Sequence, residues 1–139
     1  RKRSLKMSKK DILEMIKGNY SVLLQYEEEF AREMYAIMTT KHYVPKVINE
    51  YTRVAFVANE NNIRITFDRD IKATETSFDI FDQNLALNTV LDPYKVVFEV
   101  KYNGFLISYI KDIINKCDRI QTPISKYCLA RGGTIKSIY

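Results

Sequence analysis

The sequence predicts an α+β fold, with an antiparallel β-sheet accompanied by three helices. The opening part repeats apolar residues at helical spacing, and the middle part alternates apolar and polar residues as strands do. A further helical pattern follows the last strong strand. A chain of 139 residues predicts one domain, 1–139.

Two helices are predicted before the sheet. Ser8 followed three residues later by Asp11 is a capping pattern, and Gly18 supplies a stop, so a helix is expected over 9–17. Apolar residues at three- and four-residue steps then predict a longer helix over 21–39.

The central part of the chain predicts strands. Segments 46–58 and 62–71 are separated by a short polar turn and are expected to form an antiparallel hairpin. Residues 94–102 predict another strand, whereas 72–93 fits either a short strand or a packed loop.

The last part of the chain predicts one more helix. Its apolar stripe begins at Leu106 and runs to about residue 116. Pro123 then precedes a segment, 124–131, that we expect to be extended.

Composition limits the classes of protein. The net charge of +5 and the pI near 9.1 favour anionic partners such as nucleic acid, polyphosphate or acidic lipid heads. No segment has the apolar length of a membrane span or a signal peptide, so we expect a soluble, cytoplasmic protein. Cys117 and Cys128 are too few for a disulfide framework.

Polar side chains alternate along the three predicted strands. They are Tyr51 and Arg53, then Arg64, Thr66 and Asp68, then Glu99 and Lys101. Side chains two apart share a face of a strand. That face is either a solvated surface with cross-strand pairs, such as Arg with Asp68, or the wall of a wet cavity for an anion. Arginines suit phosphate oxygens because guanidinium offers several N–H donors in a rigid fork.

The same two alternatives, a solvated surface or an anion site, apply to Glu99 and to two residues near the end of the chain. Glu99 lies among apolar residues, so its carboxylate must be paired or hold a cation. A ladder with Lys101 meets that need, and so does a magnesium or manganese ion beside a phosphate. Near the end of the chain, Lys126 is a candidate point charge for a phosphate and Ser125 a neighbouring donor.

Four short motifs in order resemble the VTC domain, a polyphosphate polymerase module of the triphosphate tunnel metalloenzyme (CYTH-like) superfamily. The motifs are Tyr51-x-Arg53-x-Ala55-Phe56, Ile63-Arg64-Ile65-Thr66-x-Asp68, Glu99-Val100-Lys101-Tyr102 and Ser125-Lys126-Tyr127. The resemblance covers about residues 1–131 but only the later, C-terminal portion of the family domain.

The resemblance implies a fold and a set of site residues. The sheet would form part of a triphosphate-tunnel β-barrel, with the polar side chains inside and three helices packed outside on the apolar side. Arg53, Arg64 and Lys126 would be catalytic and bind phosphates. The remaining implied contacts are Tyr51, Ser125 and Lys101 for the substrate and Glu99 for manganese or magnesium.

The resemblance also implies a reaction, the transfer of the terminal phosphoryl group of ATP to a polyphosphate chain. A tunnel triphosphatase and a non-catalytic polyanion-binding accessory module remain alternatives, and this chain by itself is compatible with an inactive piece. The expected partners are ATP or another nucleoside triphosphate, polyphosphate and a membrane protein, with nucleic acid disfavoured. Self-association or a missing N-terminal segment would complete the barrel.

Overall fold

The computed structural model describes residues 2–121 and 123–136, and within them it has four α-helices and a four-stranded antiparallel sheet. The predicted α+β class is confirmed. The chain divides into two compact units. One holds the residues up to Lys46 with Glu75–Leu85, and the other holds Val47–Thr74 with the residues from Ala86 onward. None of the described helices combines the length and apolar character that crossing a membrane requires.

The first unit begins with the expected capped helix. Helix α1 spans Lys9–Ile16. The backbone N–H of Asp11 donates to the hydroxyl of Ser8 at 3.1 Å, and that hydroxyl donates to the Asp11 carboxylate at 2.7 Å. Gly18 follows the helix with a φ of 96°, a left-handed conformation that glycine adopts without strain. The predicted cap and stop are both confirmed.

The single helix predicted over 21–39 is wrong in part. A 3₁₀ helix spans Tyr20–Gln25, and helix α2 spans Glu29–Thr40. Between them Tyr26 is extended, and its hydroxyl accepts from the backbone N–H of Ser8 and donates to the Asp11 carboxylate. This long-range contact with α1 interrupts the helical pattern. The buried core residues of this part are Val22, Leu23 and Ala31.

The second unit is built on the predicted hairpin. Strand β1, Ile48–Ala58, pairs antiparallel with β2, Ile63–Thr74. The turn includes Asn61 and Asn62 with φ of 54° and 48°, in the left-handed region that asparagine tolerates better than most residues. The polar turn thus fixes the pairing of the two strands.

Strand β2 is the central strand of the sheet. Its second edge pairs with β3, Asn88–Thr89, and with β4, Val97–Lys101. The strand predicted over 94–102 is therefore confirmed with shorter bounds. In the described part of the chain the outer edges of β1 and β4 pair with no strand, and the sheet does not close. Closure into a barrel stays a prediction.

The last two helices differ in how well the sequence predicted them. Helix α3, Ser108–Asn115, confirms the expected third helix. Residues 124–131, expected to be extended, instead lead into a fourth helix, α4, Lys126–Lys136. The Ser125 carbonyl accepts from the N–H of Leu129 at 2.9 Å, and the Ser125 hydroxyl accepts from the N–H of Cys128 at 3.4 Å. These bonds satisfy donors at the helix start, so Ser125 acts as a cap.

Three phenylalanine rings lie next to one another on the apolar side of the sheet. Phe56 and Phe67 meet edge to face with ring centroids 6.1 Å apart, and Phe67 lies 5.0 Å from Phe98. Phe56 is nevertheless 59% exposed. The packing of helices on this side stays a prediction. Helix α4 contacts β1 and β2 and reaches the opposite, polar side, where Lys126 pairs with Asp68.

Candidate functional site

The strand register gathers the alternating polar residues on one face of the sheet. Arg53 of β1 lies opposite Asp68 of β2, and Thr66 of β2 lies opposite Glu99 of β4. Directly opposed residues of antiparallel strands point to the same side, as do residues two apart. We call this side the polar face, and its members are Tyr51, Arg53, Arg64, Thr66, Asp68, Glu99 and Lys101.

Tyr51 joins the polar face at an irregularity in the β1–β2 pairing. The register shifts between Glu50 and Thr52, so that Asp70 and Ile71 of β2 together face Tyr51. Asp70 has a φ of 53°, the left-handed conformation found at many β-bulges. The extra residue of the bulge lies on β2, so Tyr51 and Arg53, two apart on β1, remain on the same side.

A buried carboxylate holds two cations from different elements. Arg53 donates from Nε to Asp68 Oδ1 at 2.5 Å and from Nη2 to Oδ2 at 2.7 Å. Lys126, in the first turn of α4, lies 2.5 Å from the same Oδ2. The side chain of Asp68 is 1% exposed, whereas those of Arg53 and Lys126 are 31% and 21% exposed. With two cations on one carboxylate, the group carries a net positive charge.

The ring of Tyr51 completes this group. It lies 5.1 Å from the guanidinium carbon of Arg53 and 4.5 Å from the ammonium of Lys126. Cations are attracted to the face of an aromatic ring at such distances. We call Tyr51, Arg53, Asp68 and Lys126 the Asp68 cluster.

The ionisation of the cluster follows from these contacts. Hydrogen bonding from Arg53, then from Lys126, outweighs the burial of Asp68 and lowers the pKa of its carboxyl to about 2. The same Arg53–Asp68 hydrogen bonding raises the pKa of Arg53. These shifts favour the charged forms of both Asp68 and Arg53 at neutral pH.

Glu99 lies beside the cluster with its own partner. Its carboxylate is 2.8 Å from the ammonium of Lys101, and its side chain is 44% exposed. Hydrogen bonding from Lys101 is the largest cause of its lowered pKa, and the charges of Arg53 and Lys126 add to the effect. The predicted Glu–Lys ladder is therefore present, and the positive field of the Asp68 cluster extends to Glu99.

In the described part of the chain, the hydroxyl of Thr66 has no hydrogen-bond partner and the guanidinium of Arg64 has no ion-pair partner. Thr66 is 3% exposed, and its hydroxyl oxygen is buried with no hydrogen-bond partner there. Arg64 is exposed on the same strand, opposite Lys101, and forms no ion pair with a described residue. The polar face thus combines a buried, organised cluster with a freer basic edge.

A divalent metal ion would find few protein ligands here. Among the described residues no group of three or more histidine, cysteine, aspartate or glutamate side chains is arranged to hold one. Magnesium commonly uses one or two carboxylates and completes its shell with water and phosphate oxygens. Half-exposed Glu99 fits that pattern as one ligand, whereas Asp68 is already engaged by two cations.

The structure brings most of the proposed site residues together. Tyr51, Arg53 and Lys126 are in direct contact, and Arg64, Glu99 and Lys101 share their face of the sheet. Ser125 adjoins Lys126, but its hydroxyl caps α4.

Sequence reasoning missed the central position of Asp68 in this site. The sequence pattern indicates an Arg–Asp68 pair only as part of a solvated surface. The position of Asp68 in the hairpin, opposite Arg53, was the feature of the sequence that could have identified it.

Comparison with known proteins gives one result. A protein-family model described as the VTC domain matches residues 1–132. Neither the search of curated proteins nor that of solved structures returned a match.

Proposed function

The chain belongs to the VTC domain family, and on that premise we propose that it is part of a polyphosphate polymerase whose polar face binds phosphate groups. Membership indicates a polyphosphate-related function at the level of the family. The polymerase reaction, with ATP as donor, is our proposal. The observation that carries it is the pair Arg53 and Lys126, held side by side on a buried carboxylate next to further basic residues.

The cluster is suited to binding an anion. Asp68 engages two N–H donors of Arg53 and one contact of Lys126, which leaves other donors on both cations. Phosphate oxygens are strong acceptors for guanidinium and ammonium groups. Arg64 and Lys101 would extend the contact to neighbouring phosphates of a chain.

The proposed reaction needs no nucleophile from the protein. A terminal oxygen of the polyphosphate chain attacks the γ-phosphorus of ATP, the bond to the bridging oxygen breaks, and ADP leaves. The contribution of the protein is to align the two phosphate groups and to stabilise the charge on the transferring group. Arg53, Arg64 and Lys126 are the residues that we assign to this work.

A metal ion would be held by Glu99. A divalent ion held there would supply positive charge to offset that of the phosphate groups. Glu99 would have to exchange its contact with Lys101 for the ion, and Lys101 would then be free to meet a phosphate. Glu99→Gln should therefore abolish metal-dependent turnover while leaving metal-free binding of tripolyphosphate within about twofold.

An assay with ATP tests the proposal directly. We expect the purified protein with ATP and Mn²⁺ to make acid-stable polyphosphate chains and ADP. Release of phosphate from tripolyphosphate without chain growth would instead favour a tunnel triphosphatase. Failure of chain growth under all metal conditions would contradict the polymerase proposal.

A second function is supported by the Glu99–Lys101 contact. Because Glu99, the carboxylate to which we assign the metal ion, is already paired with Lys101, the chain also fits an accessory module that binds polyphosphate without turnover. This alternative predicts tight, salt-sensitive binding that Glu99→Gln does not weaken, together with no turnover by the unaltered protein.

The outer edges of β1 and β4, which no strand in the described part of the chain covers, suggest how the site could be enclosed. We include in the proposal that further strands, from a second copy or from a preceding segment of the same polypeptide, pair with β1 and β4 to form the tunnel. Mass measurement by sedimentation, on the chain and on the longest natural polypeptide that contains it, distinguishes the two sources.

A further inference from the structure

We propose that Asp68 is a positioning residue: it fixes Arg53 and Lys126 in the orientation that receives a phosphate and does not itself contact the ligand. This inference rests on the proposed function, which assigns phosphate binding to the two cations. By this inference, phosphate binding also depends on Asp68, a buried carboxylate that is negatively charged like the ligand.

The contacts of Asp68 support a role in positioning the two cations. Asp68 lies on the central strand β2, Arg53 on β1 and Lys126 on α4, so one carboxylate ties three elements together. Arg53 is held by two parallel hydrogen bonds, which fix both the position and the plane of the guanidinium. Lys126 is then held between the same oxygen and the ring of Tyr51.

Direct contact between Asp68 and an anion is disfavoured by burial and charge. Its side chain is 1% exposed, and both oxygens already accept from cations. The two cations are more exposed and retain free donors, so a ligand meets them first. Long basic side chains lose rotamer freedom on binding, and Asp68 removes that freedom in advance.

A purely structural role explains less of the arrangement. A buried ion pair adds little net stability relative to apolar residues of similar volume, because desolvation of the charges offsets their attraction. Here one carboxylate also leaves one cation in excess, and Arg64 adds a further positive charge on the same face, whereas Lys101 is paired with Glu99. If the group served stability alone, we would expect equal numbers of cations and carboxylates. A site for an anion requires more cations than carboxylates.

The sign of one substitution separates positioning from simple electrostatics. Asp68→Asn makes the protein more positive by one charge, so a charge-only account predicts tighter binding of tripolyphosphate. The positioning account predicts binding at least about tenfold weaker, because both cations lose the acceptor that orients them. Asp70→Asn is the matched control, since Asp70 lies two residues away and its side chain is 52% exposed.

Calorimetric titration of the full chain with sodium tripolyphosphate provides the measurement, with circular dichroism to establish folding of each variant. Weaker binding by Asp68→Asn, with Asp70→Asn unchanged, supports the inference. A double-mutant cycle combines Asp68→Asn with Lys126→Gln. The loss of tripolyphosphate affinity caused by Lys126→Gln should be smaller in the Asp68→Asn protein than in the unaltered one. Unchanged or tighter binding by Asp68→Asn overturns the inference and leaves the proposed function standing.

A measurement on the unaltered chain covers the case in which Asp68→Asn does not fold. The Nε–H of Arg53, bonded to Asp68, should give a nitrogen-15 resonance that stays protected from solvent exchange when tripolyphosphate is added. Loss of that protection on binding would mean that the ligand displaces Asp68, which overturns the inference. Absence of any binding by the unaltered chain would overturn the proposed function, and this inference with it.

Discussion

Arg53 and Asp68 face each other across β1 and β2 and are joined by two hydrogen bonds of 2.5 and 2.7 Å, with the carboxylate fully buried. The same carboxylate binds Lys126 at the start of α4. This contact fastens α4 to the polar face of the sheet. The three charged groups that join these elements are therefore the same ones to which we assign phosphate binding.

The Arg53–Asp68 contact predicts a loss of stability in acid. The pKa of Asp68 is lowered from 3.8 to about 2 in the folded protein. The ionised carboxylate therefore stabilises the fold at pH values above 3.8, the pKa in the unfolded chain. That contribution, about 2 kcal/mol, is lost progressively as the pH falls from about 4 through 2. Urea unfolding over this range should show a shallower pH dependence for Asp68→Asn. The same dependence in both proteins would contradict this assignment.

Tyr51 is predicted to act through its ring. Tyr51→Phe keeps the aromatic face beneath Arg53 and Lys126 and should leave the free energy of unfolding and tripolyphosphate affinity nearly unchanged. Tyr51→Leu removes that face and should cost about 1 kcal/mol of stability and weaken binding severalfold. Chemical unfolding and titration measure both quantities. If Tyr51→Phe weakens binding as much as Tyr51→Leu, the hydroxyl is the important group.

The unpartnered hydroxyl of Thr66 predicts a stabilising substitution. Valine matches threonine in shape, so Thr66→Val removes a buried polar group that has no described partner and should raise the free energy of unfolding by about 1 kcal/mol. Thr52→Val, at an exposed position of β1, is the control and should have little effect. Destabilisation by Thr66→Val would show that the hydroxyl has a partner in solution, such as an ordered water.

Two arginines on one strand test which face binds phosphate. Arg64 lies on the polar face, whereas Arg69 pairs in register with Thr52 on the opposite face. Arg64→Gln and Arg69→Gln each remove one positive charge. We expect Arg64→Gln to weaken tripolyphosphate binding about tenfold and Arg69→Gln to change it less than twofold. Equal losses would mean that overall charge governs binding.

The hairpin and the polar face were predictable from the sequence because both depend on local spacing. Alternation along β1 and β2 fixes which side chains share a face, and the polar turn between the strands sets their pairing. The three segments therefore brought Arg53, Arg64 and Glu99 to one side, as the sequence indicated.

The environment of Asp68 was not predictable in the same way. Asp68 and Asp70 are two apart on β2 and look equivalent in the sequence, yet their side chains are 1% and 52% exposed. The difference arises from the bulge at Asp70 and from α4, which reaches Asp68 through Lys126. Helix α4 itself was missed because residues 124–131 follow a proline and lack a clear apolar period.

The central claim is that Arg53 and Lys126 bind phosphate on the polar face of the sheet. A crystal structure of the protein soaked with tripolyphosphate tests this most directly. We predict phosphate oxygens within hydrogen-bonding distance of both cations, with Asp68 still bonded to Arg53 and a further phosphate toward Arg64. A bound tripolyphosphate that lies elsewhere, with Arg53 and Lys126 contacting only protein atoms, would contradict the account.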